Sequence, residues 1–321
     1  MSSGHFKPLG CCSLNLSLSR RATVLAAALL FVSTPLASAA PAEPPEISAR
    51  GAFLSDRDGR TTLFEKSADT RREMASTTKI MTAAVVLSTK NLDLNRKVTV
   101  SKAYPDYVQR VGGSSAYLYV GDKLTVRGVL GAMMAPSGCD AAYALADTFG
   151  KGSTRTARKA DFIKKMNAKA RSLGLTNTKY DSFDGISAKG QNYTTPRDLA
   201  KLTRYAMADR TFRDMVGAVE TKTTATAANG HTRWYTWKNT NRLLGSYTGA
   251  IGVKTGTGTK AGPCLVFAAT RDGKTITGVL LGSATSTGRY ADAKKLLDYG
   301  FGQRPGEELN LRLLPPGANR D

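Results

Sequence analysis

The chain has 321 residues and a mass of 34.2 kDa, enough for one large domain or two closely joined ones. Its 41% apolar content and 31 glycines fit a globular protein rather than a fibrous or disordered one. The formal charge of +21 is spread along the sequence, with no zinc-finger spacing and no aromatic-basic RNA motif, so nucleic acid is not the expected partner. An anionic wall polymer or an acidic peptide substrate accounts for the charge equally well. With only 2 histidines, a histidine-built metal site has little to build on, and no metal or cofactor is expected.

Residues 1–39 read as an export signal. Lys7, Arg20 and Arg21 supply the positive flank, residues 22–32 the apolar core, and Ala37-Ser38-Ala39 a small-x-small cleavage site. A membrane anchor needs about 20 apolar residues, more than this core has, and no later stretch is long enough to span. Cys11 and Cys12 precede the core and leave with the signal. The mature chain is therefore expected to be soluble, secreted, unanchored, associated with the cell wall or membrane surface, and monomeric. Cys139 and Cys264 are too few for a disulfide scaffold and are expected as free thiols.

Residues 47–54 and 61–64 predict two short strands, joined by a hairpin turn at Asp56-Arg57-Asp58-Gly59. A buried helix follows from Ser76 through residues 81–87. Residues 91–100 and 116–124 are short mixed elements. Residues 126–134 form an apolar helix capped by Thr125, broken at Pro136-Ser137-Gly138, and residues 141–149 start another. That corner either aims polar groups at a particular place or is a plain junction with Ser137 capping the second helix. Phe162, Ile163, Met166 and Leu173 recur at helical spacing up to Gly174. Residues 180–193 read as a surface loop, and Thr195-Pro196-Arg197-Asp198 as a helix start. Residues 221–226 are polar and read as an exposed strand or a loop.

The last third holds three apolar runs, 250–253, 265–270 and 275–281, with a turn at Asp272-Gly273. A terminal amphipathic helix covers 289–299. Strands at both ends and helices between them suit a single sheet assembled from both termini with a helical insertion. The expected division is 46–90 with 243–302 as a sheet-and-helix region, 91–242 as a mainly helical region, and 303–321 as a tail. Ser76 would lie at the seam.

Ser76 and Lys79 stand one helical turn apart, so Lys79 Nζ can reach Ser76 Oγ and act as the base that a serine nucleophile requires. By itself the spacing also fits an N-cap serine and a solvated lysine. Further on stand Ser137-Gly138-Cys139 and Lys254-Thr255-Gly256. Ser-x-x-Lys, a later Ser-x-Asn-like turn and Lys-Thr-Gly, in this order, are the signature of penicillin-recognising serine enzymes. The chain resembles the low-molecular-mass serine D-Ala-D-Ala peptidases. It is especially similar to the short actinobacterial transpeptidase-type members that carry Ser-Gly-Cys. The likeness extends over residues 46–302 and includes Asn239-Thr240-Asn241, Ala261-Gly262 and Cys264-Leu265-Val266.

The resemblance implies a mixed α/β (α+β) fold of the β-lactamase/transpeptidase type, with a five-stranded antiparallel sheet flanked by helices and an all-helical region. It implies that Ser76 attacks the carbonyl between the terminal D-alanines of a peptidoglycan stem peptide, with Lys79 as base. Ser137 would bridge Lys79 and Lys254. Lys254 would draw the substrate carboxylate, and Thr255, helped by Arg289, would bind it. Gly256 belongs to the same strand motif, and the Ser76 and Thr257 N–H groups would form an oxyanion hole. β-Lactam antibiotics would trap the same serine. Cys139 departs from the asparagine of most relatives, whose amide both donates and accepts where a thiol donates only weakly, and this leans toward transpeptidation. Three other readings compete: a nucleophilic Cys139, a β-lactamase, which needs a glutamate-held water where Glu220 is the sole glutamate between 141 and 263, and a non-catalytic basic wall-binding protein.

Overall fold

Strands from the two ends of the chain meet in one antiparallel sheet. The computed structural model describes residues 43–303 and 309–316; the expected export signal and the tail residues 304–308 and 317–321 lie outside them. The hairpin β1 (Gly51–Asp56) and β2 (Thr62–Lys66) leads through β3 (Arg72–Glu73) and a 3-10 turn (Ala75–Thr78) into α1 (Lys79–Leu87). Next come β4 (Lys97–Thr99), α2 (Ala103–Val111), β5 (Lys123–Thr125), α3 (Val126–Met134), α4 (Cys139–Phe149) and α5 (Arg155–Ser172). After them lie β6 (Tyr193–Thr194), α6 (Pro196–Ala208), α7 (Arg210–Gly217) and the hairpin β7 (Glu220–Thr226) and β8 (Thr232–Lys238). The chain returns to the main sheet with β9 (Ala250–Gly258), β10 (Gly262–Arg271) and β11 (Lys274–Leu281), and α8 (Gly288–Gly300) closes it.

The five-stranded sheet runs β2-β1-β11-β10-β9, as expected for a sheet assembled from both termini. Its register sets Phe53 opposite Val279 and Val266 opposite Lys254. Alternation along the strands sends side chains to opposite faces. Phe53, Val266, Ala268 and Val279 pack among the helices of the middle region. Leu54, Leu265, Phe267 and Leu280 pack instead against Leu296 and Leu297 of α8. Both faces are thus buried, which is why β10 and β11 read as nearly unbroken apolar runs. β9 is left as an edge, so half of its backbone groups point away from β10.

The helix starts follow their caps: Thr125 Oγ1 accepts from Gly128 N at 3.0 Å and Thr195 Oγ1 from Asp198 N at 3.1 Å. β1 begins later than residue 47 because Ser48 and Ala49 give their N–H groups to Asp292 of α8, at 2.9 and 3.0 Å, rather than to a strand. Besides the two-residue strands β3 and β6, three elements had no sequence signal strong enough to find them. In α2 only Tyr104 and Val108 are buried, and in α7 only Phe212, Met215 and Val216. β8 is identified by its partner: paired with the polar β7 from Glu220 opposite Lys238 to Thr226 opposite Thr232, it extends a second, four-stranded sheet, β4-β5-β7-β8, within the mainly helical middle region. Ala42–Asp321 forms one compact unit. Among the described residues, no helix is long and apolar enough to cross a membrane.

Candidate active site

Ser76 lies in the 3-10 turn rather than in the α-helix proper, and this geometry aligns it with Lys79. Side chains at i and i+3 eclipse in a 3-10 turn, whereas in an α-helix they are offset. Lys79 Nζ sits 2.8 Å from Ser76 Oγ, 3.2 Å from Ser137 Oγ and 3.4 Å from Cys139 Sγ. Lys79 is 0% exposed, so the reading of a solvated surface lysine fails; Ser76 is 6% exposed and lines a cleft of about 800 Å³. Ala75, just before it, has φ +45, a left-handed conformation that L-residues seldom adopt. This kink turns the chain from β3 into the catalytic helix.

The Pro136 corner aims polar groups at the same point. Ser137 is fully buried with φ +67, and its hydroxyl is taken up by Lys79. It does not cap α4, whose N-cap is Gly138 with no side-chain cap bond. The neighbouring loop is stitched to this corner: Ser114 Oγ donates to Ser137 O at 2.6 Å, and Cys139 N donates to Ser114 O at 2.8 Å. Burial pushes the Cys139 thiol up to about 12, against the pull of Lys79 beside it. Burial thus favours the neutral thiol, and Lys79 Nζ stands closer to Ser76 Oγ, at 2.8 Å, than to Cys139 Sγ, at 3.4 Å, which speaks for Ser76 and against Cys139 as the nucleophile. Cys264 is likewise buried, its thiol pushed up to about 11 by burial, and both cysteines are free.

Across the cleft, β9 brings Lys254, Thr255, Gly256 and Thr257 alongside the 3-10 turn. The approach is close. A Cβ on Gly256 would stand 2.8 Å from Ser76 N, closer than real Cβ atoms come, and a tight 3.1 Å from Thr77 N, so glycine is required there. Lys254 is buried and donates to Thr255 O at 2.9 Å, and the Thr255 and Thr240 hydroxyls are 2.7 Å apart. Arg289, on α8, is buried beneath the strand. Its Nη1 donates to Gly256 O at 3.1 Å, Thr257 Oγ1 at 3.0 Å and Cys264 O at 3.3 Å, so it braces the strand and reaches the cleft through Thr257.

The loop at 180–192 forms the third wall. Thr82 Oγ1 donates to Phe183 O at 2.5 Å, and Asn192 Nδ2 to Thr78 Oγ1 at 2.7 Å, so the catalytic helix holds the loop directly. Gly185, at φ +102, lies where a Cβ would meet Ala75 O at 2.0 Å. Glu73, Lys189 and Lys260 add charge along the cleft. Ser114, Thr240 and this loop were not singled out as site residues from the sequence; Thr240 stood within a matching stretch, while Ser114 and the loop carry no motif. Among the described residues, no three or more His, Cys, Asp or Glu side chains gather as a metal site would require.

A serine held by a buried lysine, with a second serine on that lysine and a lysine-bearing edge strand opposite, is equipped for acyl transfer through a serine ester. On a mixed sheet-and-helix fold of this topology, the arrangement is that of the penicillin-recognising serine enzymes. The profile of the D-alanyl-D-alanine carboxypeptidases, peptidase family S11, matches residues 38–285, and the chain belongs to that family. It is 52% identical over 283 residues to the D-alanyl-D-alanine carboxypeptidase of Streptomyces sp. strain K15, covering 87% of this chain and 97% of the relative. It is 31% identical to the D-alanyl-D-alanine carboxypeptidase DacF of Bacillus subtilis, over 82% of this chain and 65% of DacF. The crystal structure of the Streptomyces K15 DD-transpeptidase superposes with a TM-score of 0.80 at 54% identity, covering 81% of this chain and 100% of that one. DacD of Francisella tularensis superposes with a TM-score of 0.71 at 27% identity, covering 81% and 72%.

Proposed function

We propose that the protein is a penicillin-sensitive serine DD-peptidase that opens the D-Ala-D-Ala bond of peptidoglycan stem peptides through a Ser76 acyl-enzyme. The observation that carries this is Lys79 Nζ, buried 2.8 Å from Ser76 Oγ and 3.2 Å from Ser137 Oγ. In its amine form Lys79 takes the Ser76 proton as Oγ attacks the penultimate D-alanine carbonyl. Ser76 N, close against Gly256, and Thr257 N on the edge strand receive the oxyanion, each donor contributing about 2.7–4 kcal/mol to the transition state. Ser137 passes the proton from Lys79 to the departing D-alanine nitrogen, and the C–N bond breaks. Lys254 and Thr255 hold the terminal carboxylate. Water or an amine then releases the acyl group, giving a carboxypeptidase or a transpeptidase product. β-Lactams acylate the same serine.

The Cys139 thiol beside Lys79, a weak donor where an asparagine amide would both donate and accept, favours amine acceptors over hydrolysis. The β-lactamase reading has no support from Glu220, which pairs with Lys222 and Lys238 and does not line the cleft. Work on peptidoglycan agrees with the export signal, and we place the mature protein outside the cytoplasm. The test is incubation of the mature protein with diacetyl-lysyl-D-Ala-D-Ala, with and without an amine acceptor, followed by mass. Free D-alanine together with coupled peptide is the expected result. No release of D-alanine, or rapid turnover of penicillin in place of a stable Ser76 adduct, would overturn the reading.

A further inference from the structure

A second cavity, of about 690 Å³, opens beside the catalytic cleft. The two share Gly112, Gly113 and Ser114, which form a sill between them. The cleft contains Ser76 and the end of β9, whereas the second cavity reaches Thr240, the hydroxyl partner of Thr255. A donor whose acyl part lies in the cleft and whose carboxylate lies at Thr255 has its departing D-alanine on the side of the second cavity. Microscopic reversibility requires an attacking amine to arrive where the leaving amine departed.

We propose that this second cavity is the acceptor groove, which takes the amine-bearing stem peptide of a second peptidoglycan strand. The inference rests on the DD-peptidase reading above and deepens it. The acceptor nitrogen attacks the Ser76 ester carbonyl, a C–N bond forms and the C–Oγ bond breaks. The amine proton returns by way of Ser137 and Lys79 to Ser76 Oγ, leaving an amide cross-link and a free serine.

A strained aromatic lip points the same way. Tyr117 lines the groove, is 77% exposed, and has φ +54. A non-glycine residue held there is strained, and such strain persists only where the surroundings impose it. The fully buried Asp140 imposes it. Its carboxylate accepts from Ser115 Oγ at 3.1 Å, Ala116 N at 2.9 Å and Leu118 N at 3.2 Å, while Ser115 Oγ accepts from Tyr117 N at 2.9 Å. Because Asp140 follows Cys139, the lip and the Ser137 corner are one rigid piece. Pro315 and Pro316 of the C-terminal tail also line the groove. Arg312 ties that tail to the loop bearing Thr240, donating through Nη2 to Asn239 O at 2.6 Å and Asn241 O at 3.2 Å. Walls of aromatic and proline side chains with backbone between them suit an extended peptide rather than a small amine.

The test separates three activities in the wild type, in Tyr117→Ala and in the full-length double variant Pro315→Gly with Pro316→Gly: penicillin acylation, coupling to glycinamide, and coupling to a disaccharide-tripeptide bearing a free amine. The expected result is a loss of about tenfold in coupling to the large acceptor in both variants, with the other two activities within about twofold of wild type. Undiminished coupling to the large acceptor would overturn the groove alone. Equal losses in all three activities would overturn it too, by making the effect one on the whole site. A wild type that couples neither amine would overturn the transpeptidase reading and the groove with it.

Discussion

Two of the cleft's walls, the β9 strand and the helical corner opposite it, are held in place by different physics. The β9 wall is the edge of a sheet buried on both faces, and its position follows from register and from α8 packed beneath it. The helical wall is built from short pieces in uncommon backbone conformations: Ala75 and Ser137, beside the catalytic groups, and Tyr117, on the adjoining cavity, all have positive φ. Buried hydrogen bonds compensate for that strain, those of Asp140 above all. Regular pairing thus places the lysine and threonine that meet the substrate's charge, and strain places the groups that move protons.

The comparison can be broken from either side. The largest effect is expected on the sheet side. Gly256→Val adds atoms where a single Cβ already stands 2.8 Å from Ser76 N, so the strand must withdraw and the oxyanion site opens. Penicillin acylation should fall by about 10²–10³-fold, the loss typical of one oxyanion donor. A loss below tenfold in a stopped-flow assay would show that the close approach is not needed. On the helical side, Asp140→Ala leaves Ala116 N and Leu118 N without their acceptor. Urea unfolding should show a loss of about 3 kcal/mol, from the magnitude of hydrogen bonds to a charged group. An unchanged midpoint would mean that the strained loop holds itself.

The smallest effect sharpens the contrast by comparing one buried thiol on each wall. Cys139 and Cys264 have their pKa values raised by burial, to about 12 and about 11, above that of an ordinary thiol. A raised acid binds its proton more tightly in the folded state, so its contribution is fully present below the unfolded value and is lost as pH climbs through the folded one. Stability should therefore decline above pH ~9, by at most about 1.4 kcal/mol per pH unit for each thiol. Cys264→Ala should flatten that slope near pH 10, as measured by urea midpoints. An identical slope in the variant would remove Cys264 as a cause.

Much of this was legible in the sequence because it depends on local pattern. The caps at Thr125 and Thr195, the apolar runs of β10 and β11, and the order of the three motifs all lie within short windows, and each led to the right element or the right corner. The sequence alone also determined the chemistry on offer: a serine with a lysine one turn away, a second serine, a lysine-bearing strand, and a thiol two residues after the second serine. What only the tertiary structure decided was placement. Whether Ser137 capped a helix or faced Lys79 depended on a left-handed φ that no local pattern encodes. Arg289 could be placed beneath β9 only after α8 had packed, and Ser114, Thr240 and the loop at 180–192 joined the site through contacts made between distant segments. Periodicity and capping act over a few residues and can be read directly, whereas the shape of a cleft arises from long-range packing and buried hydrogen bonds, which exist only once the chain has folded.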